Sequence, residues 1–159
     1  MANSAAVCTS AKVDLFNGIH AFGTTVTRGA TTKDTFYAAL YLATASLGAS
    51  TTAYGGTVGS ASDTGELAAS GNYTPGGVAV TNATAPTSSG TTAYWTPSAS
   101  FAWTTLTSSG AFDAVLLFNH TQSEKAVAVY TFSSQSITAA NFTLTMPTND
   151  SSNALLRLA

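Results

Sequence analysis

The amino-acid sequence predicts an all-β protein, a single sandwich or barrel domain, on three observations. Through its second half, apolar or alternating segments recur about every ten to fifteen residues, the spacing of antiparallel strands rather than of βαβ units. The runs between them are rich in Gly, Ser, Thr and Asn, residues that form turns by reaching left-handed backbone or by bonding their own main chain. Only one segment, 10–18 (SAKVDLFNG), carries the apolar spacing of a helix. Ser10 is placed to cap it, Val13 and Phe16 share a face, and Gly18 can stop it. Residues 1–18 therefore read as an N-terminal arm or short helix, and 19–159 as the β domain.

Taken in order, segment 35–42 (TFYAALYL) mixes aromatic and aliphatic residues and reads as a strand. Residues 43–75 form a long Gly/Ser/Thr/Ala-rich excursion with isolated Tyr54 and Tyr73. Structureless connections of that length are uncommon in compact domains, so it is the favoured region for contact with a neighbour. A short helix is predicted over 62–69, capped by Ser62 or Asp63, with Glu66 in its first turn. Segment 76–82 (GGVAVTN) alternates after a Gly pair, and 81–92 reads as a connector.

In 100–107, strict alternation puts Phe101, Trp103 and Thr105 on one face and Ala102, Thr104 and Leu106 on the other. Segments 111–119 (AFDAVLLFN) and 125–132 (KAVAVYTF) are apolar enough to be central strands, joined through the polar loop NHTQSEK. Segment 141–146 places Phe142, Leu144 and Met146 on one face, and 153–158 (NALLRL) closes the chain.

The composition is unusual for such a domain. Of 159 residues, 8% are charged and 45% hydrophobic, where an average soluble domain is about 25% charged. A surface built from Thr, Ser, Asn, Ala and Tyr repels itself weakly, which suits a component of an assembly better than a solitary enzyme. A chain of this mass is expected to expose about 7,400 Å² when folded against about 23,000 Å² unfolded, enough burial for a two-layer core without disulfides.

Cys8 is the single cysteine, so no intrachain disulfide and no multi-cysteine zinc site can form, and it reads as small buried filler. The net charge is −2 and the five basic residues are scattered, which argues against nucleic-acid binding. The N-terminus lacks the basic and apolar regions of a signal peptide, and no apolar run is long enough to cross a bilayer as a helix. Synthesis in a cytosol, with no membrane partner, is the expectation.

Motifs for chemistry are thin. There is no GxSxG elbow, HExxH pair or phosphate-binding glycine loop. His20 and His120 read as surface loop residues. Asp63 and Glu66 are a close carboxylate pair that would share a helix face. Capping is preferred to calcium binding, since calcium takes about six to eight oxygens and no carboxylate-rich loop surrounds them. No cofactor and no catalytic or metal-ligating residue is expected.

Phe36, Trp103, Phe112, Phe118 and Phe142 fall within strand patterns and are expected in the core. Tyr54, Tyr73, Tyr94 and Trp95 sit in or beside loops. They suit either a protein interface, where Tyr and Trp are enriched, or a sugar-stacking platform. The interface is favoured, with Lys12 and Phe16 on the arm as further contact candidates.

DLFNGIHAF near the start, DTFYAALYLATASLGASTTAY, and SGNYTPGGVAVTN together resemble a family of small structural proteins of tailed bacteriophages. So do a W-x-x-L strand followed by a hydrophobic hairpin and the ending NFTLTMPTNDSSNALLRLA. The resemblance runs from about residue 10 to the end. Its most specific pieces are Y-T-P-G-G at 73–77 and the tail F-T-L-x-M-P-x-N-D-x-x-N-A-L-L-R-L, and the chain departs from it in a Ser/Ala-rich insert around 57–70.

The resemblance implies a jelly-roll-like β-sandwich that decorates the phage head as a cement protein. Its partner would be the major capsid protein, its state a homo-oligomer with a trimer favoured, and its place the outer surface of the virion head. On that reading the 1–18 arm and the 43–75 excursion reach neighbours. The alternative is a receptor-binding module on head or tail that grips a host surface glycan through Tyr54, Tyr73, Tyr94 or Trp95. A lytic glycosidase would need Asp63 or Glu66 to face Asp113 or Glu124 across a cleft, and is not expected.

Overall fold

The computed structural model describes residues 3–8, 11, 15, 18–23, 33–81 and 83–158. Its ten strands, in chain order, are β1 (Ala6–Val7), β2 (Phe36–Leu42), β3 (Val78–Ala79), β4 (Thr87–Ser89) and β5 (Thr92–Trp95), then β6 (Phe101–Leu106), β7 (Phe112–Asn119), β8 (Lys125–Gln135), β9 (Ala140–Leu144) and β10 (Leu156–Leu158). A five-stranded sheet has the order β1-β8-β7-β2-β3, a three-stranded sheet β10-β5-β4, and a two-stranded sheet β6-β9. Every strand pair is antiparallel. The all-β sandwich read from the sequence is the observed class, and the accessible surface of 7550 Å² matches a compact single chain of this mass.

The central strands are where the apolar runs placed them. β7 is flanked by β2 and β8, and from Ala114 to Asn119 every residue is buried. Its neighbours on the sheet alternate between two clusters. Phe36, Ala38, Leu40, Phe112, Val115 and Leu117 point to one side, where they meet Trp95, Phe101, Trp103 and Leu106 of the two smaller sheets. Ala39, Tyr41, Ala114, Leu116 and Phe118 point to the other. A bulge at Val127 keeps β8 in step, since Leu117 pairs with Ala128 while Phe118 pairs with Ala126.

Four expectations change. Leu106 lies on the same face as Phe101 and Trp103, because Thr105 adopts φ +51° and shifts the pairing between Trp103 and Leu106. The connector 81–92 contains β4 and the start of β5, a hairpin turning through Gly90 (φ +58°) and Thr91. β4 is exposed along its length and so gives no apolar alternation to read.

No helix forms over 62–69. Gly65 is left-handed (φ +82°), the Glu66 N–H closes a turn on the Asp63 carbonyl (3.1 Å), and the Leu67 N–H pairs with the Leu40 carbonyl of β2 (2.9 Å). The fourth change concerns the N-terminal arm. The described part of the arm, residues 3–8, packs on its own chain: β1 pairs with β8, and the Asn3 amide donates to Leu42 O (3.1 Å) and Asp113 Oδ1 (2.8 Å). Ala11 and Leu15 have helical backbone, while Ser10, Val13 and Phe16 of the predicted 10–18 helix lie outside the described residues.

The 43–75 excursion is a third layer. It folds back across the second face of the large sheet, placing Ala45, Leu47, Tyr54 and Val58 against Ala39, Leu116 and Phe118. It also closes the outer edge of β2 beyond the short β3. Leu42 N–H donates to Gly65 O at 2.8 Å, Leu67 N–H to Leu40 O, and Leu40 N–H to the Tyr73 hydroxyl at 3.0 Å. An unpaired edge on a strand this apolar would invite another chain, and here the layer satisfies it group by group.

Candidate functional site

Two places in the molecule gather the residues that the sequence marks. The first lies under the third layer. Glu66 is 4% exposed, and each oxygen of its carboxylate accepts two hydrogen bonds. Oε1 takes the Tyr73 hydroxyl (2.7 Å) and Gly76 N–H (2.7 Å), and Oε2 takes the Tyr54 hydroxyl (2.8 Å) and Asp63 N–H (2.7 Å). Burial pushes the Glu66 carboxyl above the ordinary carboxylate range, against the lowering effect of these four bonds. Burial and the neighbouring carboxylates push the Tyr41, Tyr54 and Tyr73 hydroxyls far up, so all three stay protonated.

The Y-T-P-G-G segment is built for this contact. Tyr73 bridges Glu66 to the β2 backbone, and Gly76 supplies an N–H. Gly77 (φ +73°) lies so close to β2 that a Cβ there would stand 1.8 Å from the Ala38 carbonyl oxygen. Asp63 and Glu66 are thus neither helix caps nor an exposed pair. Asp63 accepts the Tyr41 hydroxyl (2.6 Å) and Thr64 N–H (2.6 Å), and Glu66 is enclosed. Asp113 engages Asn3, and Glu124 lies 2.6 Å from His120 Nδ1. The carboxylates are committed to contacts within the chain.

The second place is an apolar groove of about 250 Å³ beside β5 and β10. Tyr94 and Trp95 line it with Phe22, Val127, Leu156 and Leu158, while His20 and Arg157 are its polar members. Trp95 is buried, with its indole N–H donating to Thr84 O (2.9 Å) and the Phe22 ring tilted against it at 5.0 Å between ring centres. Leu158 is 52% exposed, the one large hydrophobic residue of the described chain that is.

The structure therefore divides the six contact candidates. Lys12 and Phe16 lie outside the described residues. Tyr54 and Tyr73 are 3% exposed and serve the Glu66 site, so they are core residues rather than surface anchors. Tyr54 also stacks on Phe118 at 4.5 Å and 8°. Trp95 is likewise interior, and Tyr94 is half-buried at the groove. A sugar-stacking platform needs exposed ring faces, and only Tyr94 retains part of one. Leu158 and Arg157 at the groove were not singled out from the sequence, although an apolar residue in a terminal edge strand is a visible signal.

His20 is also interior rather than on the surface. Its Nδ1 accepts from the Asn119 amide at 3.0 Å, and the Asn119 Nδ2 also donates to Asp34 Oδ2 at 2.8 Å. Ala21 N–H and the Gln122 amide also donate to the Asp34 carboxylate (3.0 and 3.2 Å), which ties the 119–125 loop to the start of β2. Asn119 is fully buried, so its N-H-T triplet is no glycan acceptor in the folded chain. Cys8 is buried as expected, and desolvation raises its thiol to about 11.

Among the described residues, no group of three or more His, Cys, Asp or Glu side chains is placed to hold a metal ion. No family model, curated protein or solved structure matches this chain.

Proposed function

We propose that this chain is a decoration, or cement, protein of a tailed-bacteriophage head, which binds the outer face of the mature shell and stabilises it. The observation that carries the reading is the surface. Among the described residues, Lys33 and Arg157 are the exposed Lys, Arg, Asp or Glu side chains, and the others are half-buried or buried. Exposed Thr, Ser and Ala, an exposed edge strand at β4 and the apolar groove beside Leu158 make a surface that gains from being covered. A monomer free in solution is poorly protected by so little charge.

The resemblance of the DTFYAALYL, YTPGG and C-terminal segments to small phage structural proteins supplies the specific role, and with it the jelly-roll winding and the trimer. In this reading the major capsid protein is the partner. The decoration protein binds mature shells in preference to immature ones, and that differential affinity stabilises the mature lattice by mass action. Symmetry repeats each small contact across the particle. The glycan-binding alternative loses three of its four rings to the interior, and no other observation favours it.

The test is to add the purified chain to mature heads lacking it and to immature shells of the same phage. Saturable binding to mature heads, with a raised temperature of head disruption, is the expected result. Equal binding to both forms, or none to mature heads, would contradict the proposal.

A further inference from the structure

Glu66 has no part in the role proposed above, yet its surroundings are fully specified. Its partners are two hydroxyls and two backbone N–H groups, with no lysine, arginine or histidine among them. The titratable groups that face it are Tyr41 from β2, Tyr54, Tyr73 and Asp63 from the third layer, with Glu124 of the 119–125 loop beyond Tyr54. Every charge in that set is negative. A buried carboxylate without a cation is costly in its ionised form.

The geometry also has room for a proton. The Tyr54 hydroxyl carries one hydrogen but lies within reach of two acceptors, Glu66 Oε2 at 2.8 Å and the Ala61 carbonyl at 3.1 Å. With Glu66 ionised, Tyr54 donates to the carboxylate. With a proton on Oε2, the carboxyl donates to Tyr54 and Tyr54 donates to Ala61, while the bonds from Tyr73, Gly76 and Asp63 N–H remain. One set of atomic positions thus serves both states, and what differs is the buried charge.

We propose that residues 43–77 form a proton-linked clasp on the second face of the sheet, held shut most firmly when Glu66 carries a proton and loosened as it ionises. The clasp closes the β2 edge through Gly65 O, Leu67 N–H and the Tyr73 hydroxyl, and it covers Ala39, Leu116 and Phe118. Loosening it uncovers that apolar strip and a strand edge together. Burial of the carboxylate with no cation among its partners sets the direction, and the same burial raises the folded-state carboxyl. Its contribution is fully present below the unfolded glutamate value of about 4.3 and is lost as pH rises through the higher folded value.

The test uses the intact chain. Carbon NMR follows the Glu66 carboxyl across pH, and amide hydrogen exchange, corrected for intrinsic rates, follows the Leu40, Leu42 and Leu67 N–H groups, with Leu117 of β7 as the internal control. The clasp predicts that Glu66 titrates above the free glutamate value. It also predicts that opening at the three β2-edge amides increases through the same range, by at most tenfold per pH unit for one proton, while Leu117 is unaffected. In Glu66→Gln the dependence disappears. Glu66 titrating at or below the free value, an opening constant flat with pH, or the same slope in Glu66→Gln would overturn the proposal. The carboxyl titration decides the matter even if the variant does not fold.

Discussion

On one face of the five-stranded sheet, Phe36, Phe112 and Val115 meet Trp95, Phe101 and Trp103 across a sandwich interior. On the other, Ala39, Ala114 and Ala126 meet a layer made largely of Ser, Thr, Gly and Ala. The first face is held by apolar area and ring packing. Phe112 makes edge contacts with Phe132 and Phe142 at 5.9 and 5.0 Å. The second face combines small residues, which let a backbone lie close, with Leu116 and Phe118, on which Tyr54 stacks, and its closure adds hydrogen bonds converging on one carboxylate. A core can be sealed by side-chain volume alone or by adding hydrogen bonds from a closely applied segment, and this molecule does the first on one side and the second on the other.

Breaking the first face should cost most. Phe112→Ala removes a fully buried ring and is expected to destabilise by about 3–5 kcal/mol, read as a lower urea midpoint at unchanged slope. A loss below about 1 kcal/mol would mean that the sandwich interior is not the main core. On the second face, Tyr73→Phe removes both the donor to Glu66 and the acceptor for Leu40 N–H. The expected cost is about 1–3 kcal/mol, with hydrogen exchange accelerated at the β2 edge before it changes in β7. Uniform acceleration would show that the layer has no separate stability.

A smaller effect reports the closure of that layer directly. Cys8 packs in the second cluster, with its Sγ 3.8 Å from the Gly48 carbonyl and its thiol raised to about 11. At pH 8 it should react with a thiol reagent far more slowly than in denaturant, at a rate set by local opening. Immediate labelling of the native chain would show the layer open. Smallest of all, Leu158→Ser should leave stability within about 0.5 kcal/mol, since Leu158 is exposed, while weakening binding to shells. Unchanged binding would remove the groove rim from the interface.

The two faces also differ in how much of them can be read from sequence. β2, β7, β8 and β9 announce themselves because alternation and apolar runs are local signals, and the aromatic face follows from them. Strict alternation puts Leu106 on the wrong face because one left-handed residue, Thr105, reverses the alternation after it. β4 is silent because an exposed Thr-Ser-Ser strand has no apolar side. The Glu66 site is harder still. Its partners lie 3, 7, 10 and 12 residues away along an irregular chain, and the Ser62, Asp63 and Glu66 pattern that resembles a helix cap serves a turn equally well. Gly65 was the contrary signal. His20 and Asn119 meet across 99 residues, which no local pattern encodes.

With both faces sealed within the chain, what remains outside among the described residues is a surface with few exposed charges and the apolar groove beside β5 and β10, and the cement reading rests on that remainder. The measurement that tests it most directly is the copy number of this chain in purified particles, by quantitative mass spectrometry against the major shell protein. A ratio near one is predicted, as for a protein on the shell lattice. A ratio of a few per cent, or absence from the particle, would contradict it.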